Sequence, residues 1–168
     1  MNRIAAFSKV SFDEFHRALV ENKIMTEEEK DKSALYYEAI RHPVRATEGS
    51  AGYDFFIPFA EQINNVKWKT IPTGIRCRIS PGWMLVCVPK SGQGFRYRLR
   101  LANTVGVIDS DYFYADNQGH IMAKLAAENP LPLKQGDKFM QGIFVPYGIT
   151  MDDQADGVRH GGLGSTGR

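Results

Sequence analysis

The chain has 168 residues, of which 43% are hydrophobic and 24% charged, the length and balance of one folded domain and not of a disordered chain. Lys and Arg number 21 against 19 Asp and Glu, a net charge of +2, which excludes the basic excess of a dedicated duplex-DNA binder. No apolar run approaches the ~20 residues of a membrane span, and no leader-like apolar stretch with a cleavage pattern opens the chain, so neither a nucleic-acid nor a membrane partner is expected.

Helical signals come first. Ser11-Phe12-Asp13-Glu14 reads as a capping box, with Phe12, Phe15 and Leu19 at helical spacing behind it. Thr26-Glu27-Glu28-Glu29 reads as a second box, opening a helix whose acidic first turn suits the helix dipole. Leu35, Tyr36, Ala39 and Ile40 are its expected buried stripe, and Pro43 ends it.

From Pro43 onward the period becomes two. Ile75, Cys77 and Ile79 alternate with polar residues, and Phe95 to Leu101 alternates with Arg96, Arg98 and Arg100. That arginine face is expected either to attract phosphate, to line an interface, or to be simply solvated. Trp83 to Val88 reads as a strand buried on both faces, and Ile121 to Ala127 and Phe139 to Val145 as further strands. Glu61 to Lys69 reads as a loop or edge strand. Close Gly and Pro punctuation between short strands predicts a sandwich, jelly roll or barrel. The two cysteines, Cys77 and Cys87, fall in apolar strands and are expected to be buried free thiols of a reducing cytoplasm. Residues 152–168, polar and Gly-rich, read as a mobile tail.

Three segments carry chemistry. Pro89-Lys90-Ser91-Gly92-Gln93-Gly94 follows an apolar strand; it reads as a plain turn, or as backbone N–H groups, a hydroxyl and a cation gathered for phosphate. Arg159 to Arg168 combines glycines, hydroxyls and arginines, a phosphate wrap or a disordered tail, without the lysine and helix of a P-loop. Asp109 and Asp111 stand two residues apart, so an extended chain points them the same way, as a general base with a charge partner, a metal site, or a turn bonding its own backbone. Asp54 is a further carboxylate beside a turn. His16, His42, His120 and His160 show no ligand spacing and are read as incidental.

Five blocks stand in order: Gly49-Ser50-Ala51-Gly52-Tyr53-Asp54, Pro89-Lys90-Ser91-Gly92, Gly106-Val107-Ile108-Asp109-Ser110-Asp111-Tyr112, Gly136-Asp137-Lys138-Phe139-Met140-Gln141, and Gly161-Gly162-Leu163-Gly164-Ser165-Thr166-Gly167. The ordered set resembles the deoxyuridine triphosphate nucleotidohydrolase (dUTPase) family over residues 43–167, roughly three quarters of the chain.

The resemblance implies a single mainly β domain over residues 1–168, a distorted jelly-roll β-barrel with an N-terminal helical insertion (residues 11–40) and a flexible C-terminal arm. It implies a cytoplasmic homotrimer with active sites between subunits, hydrolysing dUTP to dUMP and pyrophosphate by Mg²⁺-assisted in-line attack of water on the α-phosphate. Asp109 then resembles the general base, bonding also the sugar 3′-hydroxyl, and Tyr112 the ring that leaves no room for a 2′-hydroxyl. Backbone at Gly106, Val107 and Ile108, with Asn103, would read the uracil edge, and such rigid donors and acceptors reject cytosine. Lys90, Ser91, Gly92 and Gln141 would hold phosphates or water. Asp54 would act through water on the Mg²⁺ shell. Arg159, Leu163, Gly164 and Ser165 of the arm would close over a neighbouring subunit's site.

Some residues depart from the family pattern. Lys90 stands where an arginine is usual and lacks its bidentate fork. Leu163 replaces an aromatic that stacks on uracil. Arg159 lies one residue nearer the glycine pair, and residues 113–119 replace a short turn. A dCTP deaminase, of related fold, needs a glutamate where Lys124 stands. A nucleotide-sensing regulator or protein-binding module on the same fold is the rival from another class.

Overall fold

The computed structural model describes residues 2–161. In chain order the elements are β1 (Ala5–Lys9), α1 (Phe12–Glu21), α2 (Lys30–Glu38), β2 (Val44–Arg45), β3 (Tyr53–Phe56), β4 (Glu61–Ile63), β5 (Lys69–Pro72), β6 (Ile75–Ile79), β7 (Trp83–Pro89), α3 (Ser91–Tyr97), β8 (Arg100–Leu101), β9 (Gly106–Ile108), β10 (Met122–Ala126), β11 (Leu131–Leu133) and β12 (Lys138–Pro146), with a 3-10 turn at Ser110–Tyr114. All pairing is antiparallel, in sheets ordered β2-β3-β12-β7-β9, β5-β10-β8, β1-β6 and β11-β4. The expected mainly β, jelly-roll-class architecture is observed, although among the described residues the sheets stay open and do not close into one ladder. No described helix is long and apolar enough to cross a membrane.

One core joins the sheets. Phe55, Leu85 and Phe139 from the large sheet meet Ile71, Leu125 and Ile75 from the others, all almost completely buried. Burial of each such side chain is worth about 1.5–3 kcal/mol. In β6 the predicted alternation holds, with Ile75, Cys77 and Ile79 inward. In β7 it corrects the expectation of a strand covered on both faces: only Leu85 and Cys87 are buried, and Val86 and Val88 remain half-exposed on the other face.

The N-terminal segment packs onto this core as part of it. Strand β1, which the sequence reading did not single out, pairs with β6 from Ala5↔Ile79 to Lys9↔Ile75. Ser11 caps α1 as predicted, its hydroxyl accepting from the Glu14 N–H at 3.2 Å. Phe15 and Leu19 are fully buried beneath it. Thr26 N–H donates to Glu29 Oε2 at 3.0 Å, the reciprocal half of the second box, but the helix itself starts at Lys30. In α2 Ser33 and Tyr37, one turn apart, face α1. Leu35 is therefore exposed, and of the expected stripe only Ile40 is buried.

The strand expected from Phe95 to Leu101 survives only as β8 at Arg100–Leu101, and its first part is helix instead. Ser91 to Tyr97 winds into α3, and Arg98 ends it in the left-handed region (φ 54). A strand there would need a core for Phe95, which is in fact exposed. Arg96, Arg98 and Arg100 consequently share no sheet face; Arg100 lies over the Trp68 ring at 5.7 Å, near Glu128.

Candidate active site

Two constellations lie at different places along β7. The first is a pocket of about 80 Å³ against β9, lined by Cys87, Asn103, Gly106, Val107, Ile108 and Tyr112, with Met140 at its floor and Arg159 at its rim. One water needs only about 10–15 Å³, so the space takes a larger group. Strand β9 presents its backbone here because it is the outermost strand beside β7, paired at Leu85↔Ile108 and Cys87↔Gly106. Among the described residues no strand pairs with its other edge, whose N–H and C=O groups suit recognition of a planar heterocycle.

Asp109 follows β9 directly and stands half-exposed at the start of the 3-10 turn. That turn drives Tyr112 back inward, where only 6% of it is exposed. The Tyr112 hydroxyl donates to the His120 carbonyl at 2.8 Å and accepts from Asn117 Nδ2 at 2.8 Å. Burial pushes its ionisation above the ordinary phenol range, outweighing the Asn117 bond, so it remains a neutral hydrogen-bonding group. Arg159 bridges both acids of the turn, Nη2 to Asp109 Oδ2 at 2.5 Å and Nε to Asp111 Oδ1 at 2.9 Å. The next residue is anchored too, since Asp116 N–H donates to the His160 carbonyl at 3.0 Å.

The second constellation surrounds Asp54 in β3. Its carboxylate is almost fully buried, yet Lys90 Nζ lies 2.6 Å from Oδ1 and Lys138 Nζ 2.8 Å from Oδ2. Burial alone would raise the carboxyl's ionisation, but the two ammonium groups outweigh it and hold it below the ordinary range. Gln141 stands opposite Asp54 across β3–β12 and opposite Val88 across β12–β7. It packs so closely over Gly52 that a Cβ there would lie 2.9 Å from its Oε1. Ser91 and Gly92 open α3 beyond Lys90, exposed and without a side-chain cap, so the first N–H groups of the helix are available.

The structure thus brings Asn103, Gly106, Val107, Ile108, Asp109, Tyr112 and Arg159 together in one group. Lys90, Ser91, Gly92, Asp54 and Gln141 gather in another. Leu163, Gly164 and Ser165 lie outside the described residues. Lys138 was not singled out from sequence; it stands within the fourth block, but its reach to Asp54 depends on the β3–β12 register, Lys138↔Phe56 with a bulge following. His120 and His16, read as incidental, are both buried and hydrogen-bonded. Among the described residues no three His, Cys, Asp or Glu side chains converge to hold a metal ion.

The family model for dUTPase matches residues 38–167. The chain belongs to the dUTPase family. The deoxyuridine 5′-triphosphate nucleotidohydrolase of Lactococcus lactis subsp. lactis is 36% identical over 135 residues, covering 76% of this chain and 89% of that protein. The crystal structure of the dUTPase from Streptococcus mutans superposes with a TM-score of 0.60 at 31% identity, over 67% of this chain and 90% of that one. A dUTPase variant of Staphylococcus bacteriophage 80alpha, bound to dUpNHpp, reaches a TM-score of 0.64 over 93% of this chain and 98% of that one. At 14% identity it shows likeness of fold alone.

Proposed function

We propose that this dUTPase hydrolyses dUTP to dUMP and pyrophosphate, with Asp109 activating the attacking water. The observation that carries the reading is the pocket formed by the β9 backbone and Tyr112, with the Asp109 carboxylate following directly from β9. Uracil would pair with the backbone of Gly106, Val107 and Ile108, assisted by Asn103, while the Tyr112 ring packs against the sugar where a 2′-hydroxyl would project. Asp109 takes a proton from water as the oxygen bonds to the α-phosphorus. The bond from that phosphorus to the bridging oxygen breaks, and pyrophosphate leaves with the electron pair.

Lys90, Lys138, Gln141 and the N–H groups of Ser91 and Gly92 supply the phosphate-binding side. The donor set fits Mg²⁺ carried on the triphosphate, because that ion keeps several waters and needs only one or two carboxylates beside phosphate oxygens. Bound Mg²⁺ would neutralise and orient the phosphates. Asp54 would reach its water shell once Lys90 and Lys138 turn from the carboxylate to the phosphates. Arg159 would make a similar exchange, from the two aspartates to phosphate, as the arm residues Leu163, Gly164 and Ser165 close over base and phosphates.

A homotrimer with sites shared between subunits is the assembly we propose, and a distance supports the sharing. Asp109 continues from Ile108, opposite Leu85, and Lys90 lies five residues further along β7, on the order of 17 Å at about 3.3 Å per residue. A triphosphate anchored beside Asp109 does not span that length in one chain, whereas a second copy can bring its Lys90 group alongside. Two buried thiols, Cys77 and Cys87, suit the reducing cytoplasm.

The test is pyrophosphate release from dUTP with Mg²⁺, using dCTP, dTTP and UTP as controls. Wild type is expected to act on dUTP alone, and Asp109→Asn to be slower by about 10²–10⁴-fold while still binding. Nucleotide binding by wild type without turnover would overturn the reading and favour a nucleotide-sensing regulator.

A further inference from the structure

The N-terminal helix and the 113–119 insertion have no role in the chemistry above, yet a buried hydrogen-bonded chain runs from one to the other. His120 is completely buried. Its Nε2 accepts the Gly74 N–H at 2.9 Å, so the ring proton sits on Nδ1 and is donated to Glu14 Oε1 at 3.1 Å. Glu14, on the inner face of α1 and itself buried, is braced from outside by the Arg17 guanidinium. The same His120 offers its backbone carbonyl to the Tyr112 hydroxyl. One residue therefore holds the pocket's tyrosine with its main chain and the helix with its side chain.

Two further contacts make this a clamp. Gln118 grips the start of α1, accepting the Ser11 N–H and donating to the Ser11 hydroxyl, each at 2.8 Å. Gly119, at φ +70, lies so close beneath Tyr112 that a Cβ would stand 2.6 Å from the Tyr112 carbonyl oxygen. The backbone from Tyr112 to His120 is thus folded onto itself, with α1 closing its open side.

We infer that Glu14, acting through His120, is a positioning residue for Tyr112 and sets how strictly the site distinguishes deoxyribose from ribose. Steric rejection of one hydroxyl works only if the rejecting ring cannot retreat, and displacements of about 1 Å change rates by up to 10²-fold. Without the Glu14 carboxylate the His120 imidazole loses its anchor on α1, and the carbonyl that fixes the Tyr112 hydroxyl is free to move. The inference rests on Tyr112 acting as the sugar gate, and the experiment separates the two claims.

The dUTP/UTP ratio of kcat/KM is measured for wild type, Glu14→Ala, Glu14→Gln, Tyr112→Phe, Tyr112→Ala and the double variant Glu14→Ala/Tyr112→Phe. Glu14→Ala is expected to lower the ratio by about tenfold, through a higher KM for dUTP and better use of UTP, with kcat for dUTP within about twofold of wild type. Glu14→Gln keeps an acceptor for the Nδ1 proton and is expected to restore most of the ratio, which a general loss of stability would not allow. Tyr112→Phe removes the bond to His120, so adding Glu14→Ala to it should cost little more. If Tyr112→Ala leaves the ratio unchanged, the gate reading itself fails. If Tyr112→Ala and Tyr112→Phe both lower the ratio and Glu14→Ala does not, the gate stands and the inference about Glu14 is overturned. Should Glu14→Ala not fold, Gln118→Ala loosens the same clamp from the exposed side and is expected to shift the ratio in the same direction; an unchanged ratio there would also count against the inference.

Discussion

Arg159 reaches both Asp109 and Asp111, its Nη2 2.5 Å from the first and its Nε 2.9 Å from the second. The proposed base is therefore covered by a cation from the same chain's C-terminal arm. The contact orients the carboxylate, and the triphosphate, with more negative charge, is the stronger partner for the guanidinium.

Replacing Arg159 by Ala should accordingly separate stability from activity. The two aspartates are about half exposed, and exposed ion pairs contribute about 0–1 kcal/mol. Thermal unfolding of Arg159→Ala is expected to match wild type closely. Its KM for dUTP should rise several-fold, read from initial rates at saturating Mg²⁺.

Mixing two inactive variants tests where the site halves come from. Asp109→Asn and Lys90→Ala, unfolded together and refolded as mixed assemblies, should regain up to about a quarter of wild-type pyrophosphate release if each site draws these residues from different copies. Refolding each alone should regain none. Absence of recovery in verified mixed trimers would place both residues in one chain's site.

Asp54 gives the fold an acid-side dependence. Its ionisation is held down by Lys138 and Lys90 against the effect of burial, so the folded state takes up this proton at lower pH than the unfolded chain does. The associated stability is complete above the ordinary aspartate range near 4 and is lost as pH falls from there toward the folded value. Melting curves from pH 7 to pH 3 should show Tm falling on the acid side. Asp54→Asn should lower Tm near neutrality, where two ammonium groups lose their partner, and should flatten the acid slope.

Cys77 and Cys87 should be inert to thiol reagents in the native protein. Both are buried, and burial pushes each thiol up to about 12, with Cys87 adding to the effect on Cys77. At pH 8 almost no thiolate exists to react. Labelling by a chromogenic disulfide is expected to be slow in buffer and to reach two thiols per chain after denaturation. Rapid labelling of the native protein would mean that β6 and β7 open readily.

The parts legible in the sequence were those governed by neighbours along the chain. The Ser11 cap on α1 and the inward Ile75, Cys77 and Ile79 need only local spacing. The ordered motifs bring Asp109 and Tyr112 to attention because turn, acid and aromatic are adjacent. What escaped was governed by partners far away. Phe95 to Leu101 alternates like a strand, but only its end at Arg100–Leu101 finds a sheet, and exposed Phe95 lies in the helix that begins at Ser91. Strand β1 has no clean alternation of burial and is defined by its pairing with β6. The Glu14–His120 contact joins residues separated by 106 positions, and a lone histidine without ligand spacing gives no hint of it.

Among the described residues, strand β6 has one ladder partner, β1. Chains begun at residue 11 would keep every proposed catalytic group and lose that cover. An alternating Ile-Arg-Cys-Arg-Ile segment would then present unsatisfied main-chain groups along the margin that β1 covers, a template for intermolecular strand addition. The first ten residues thus cover an edge prone to strand addition, and shortening the protein to its catalytic motifs would expose it.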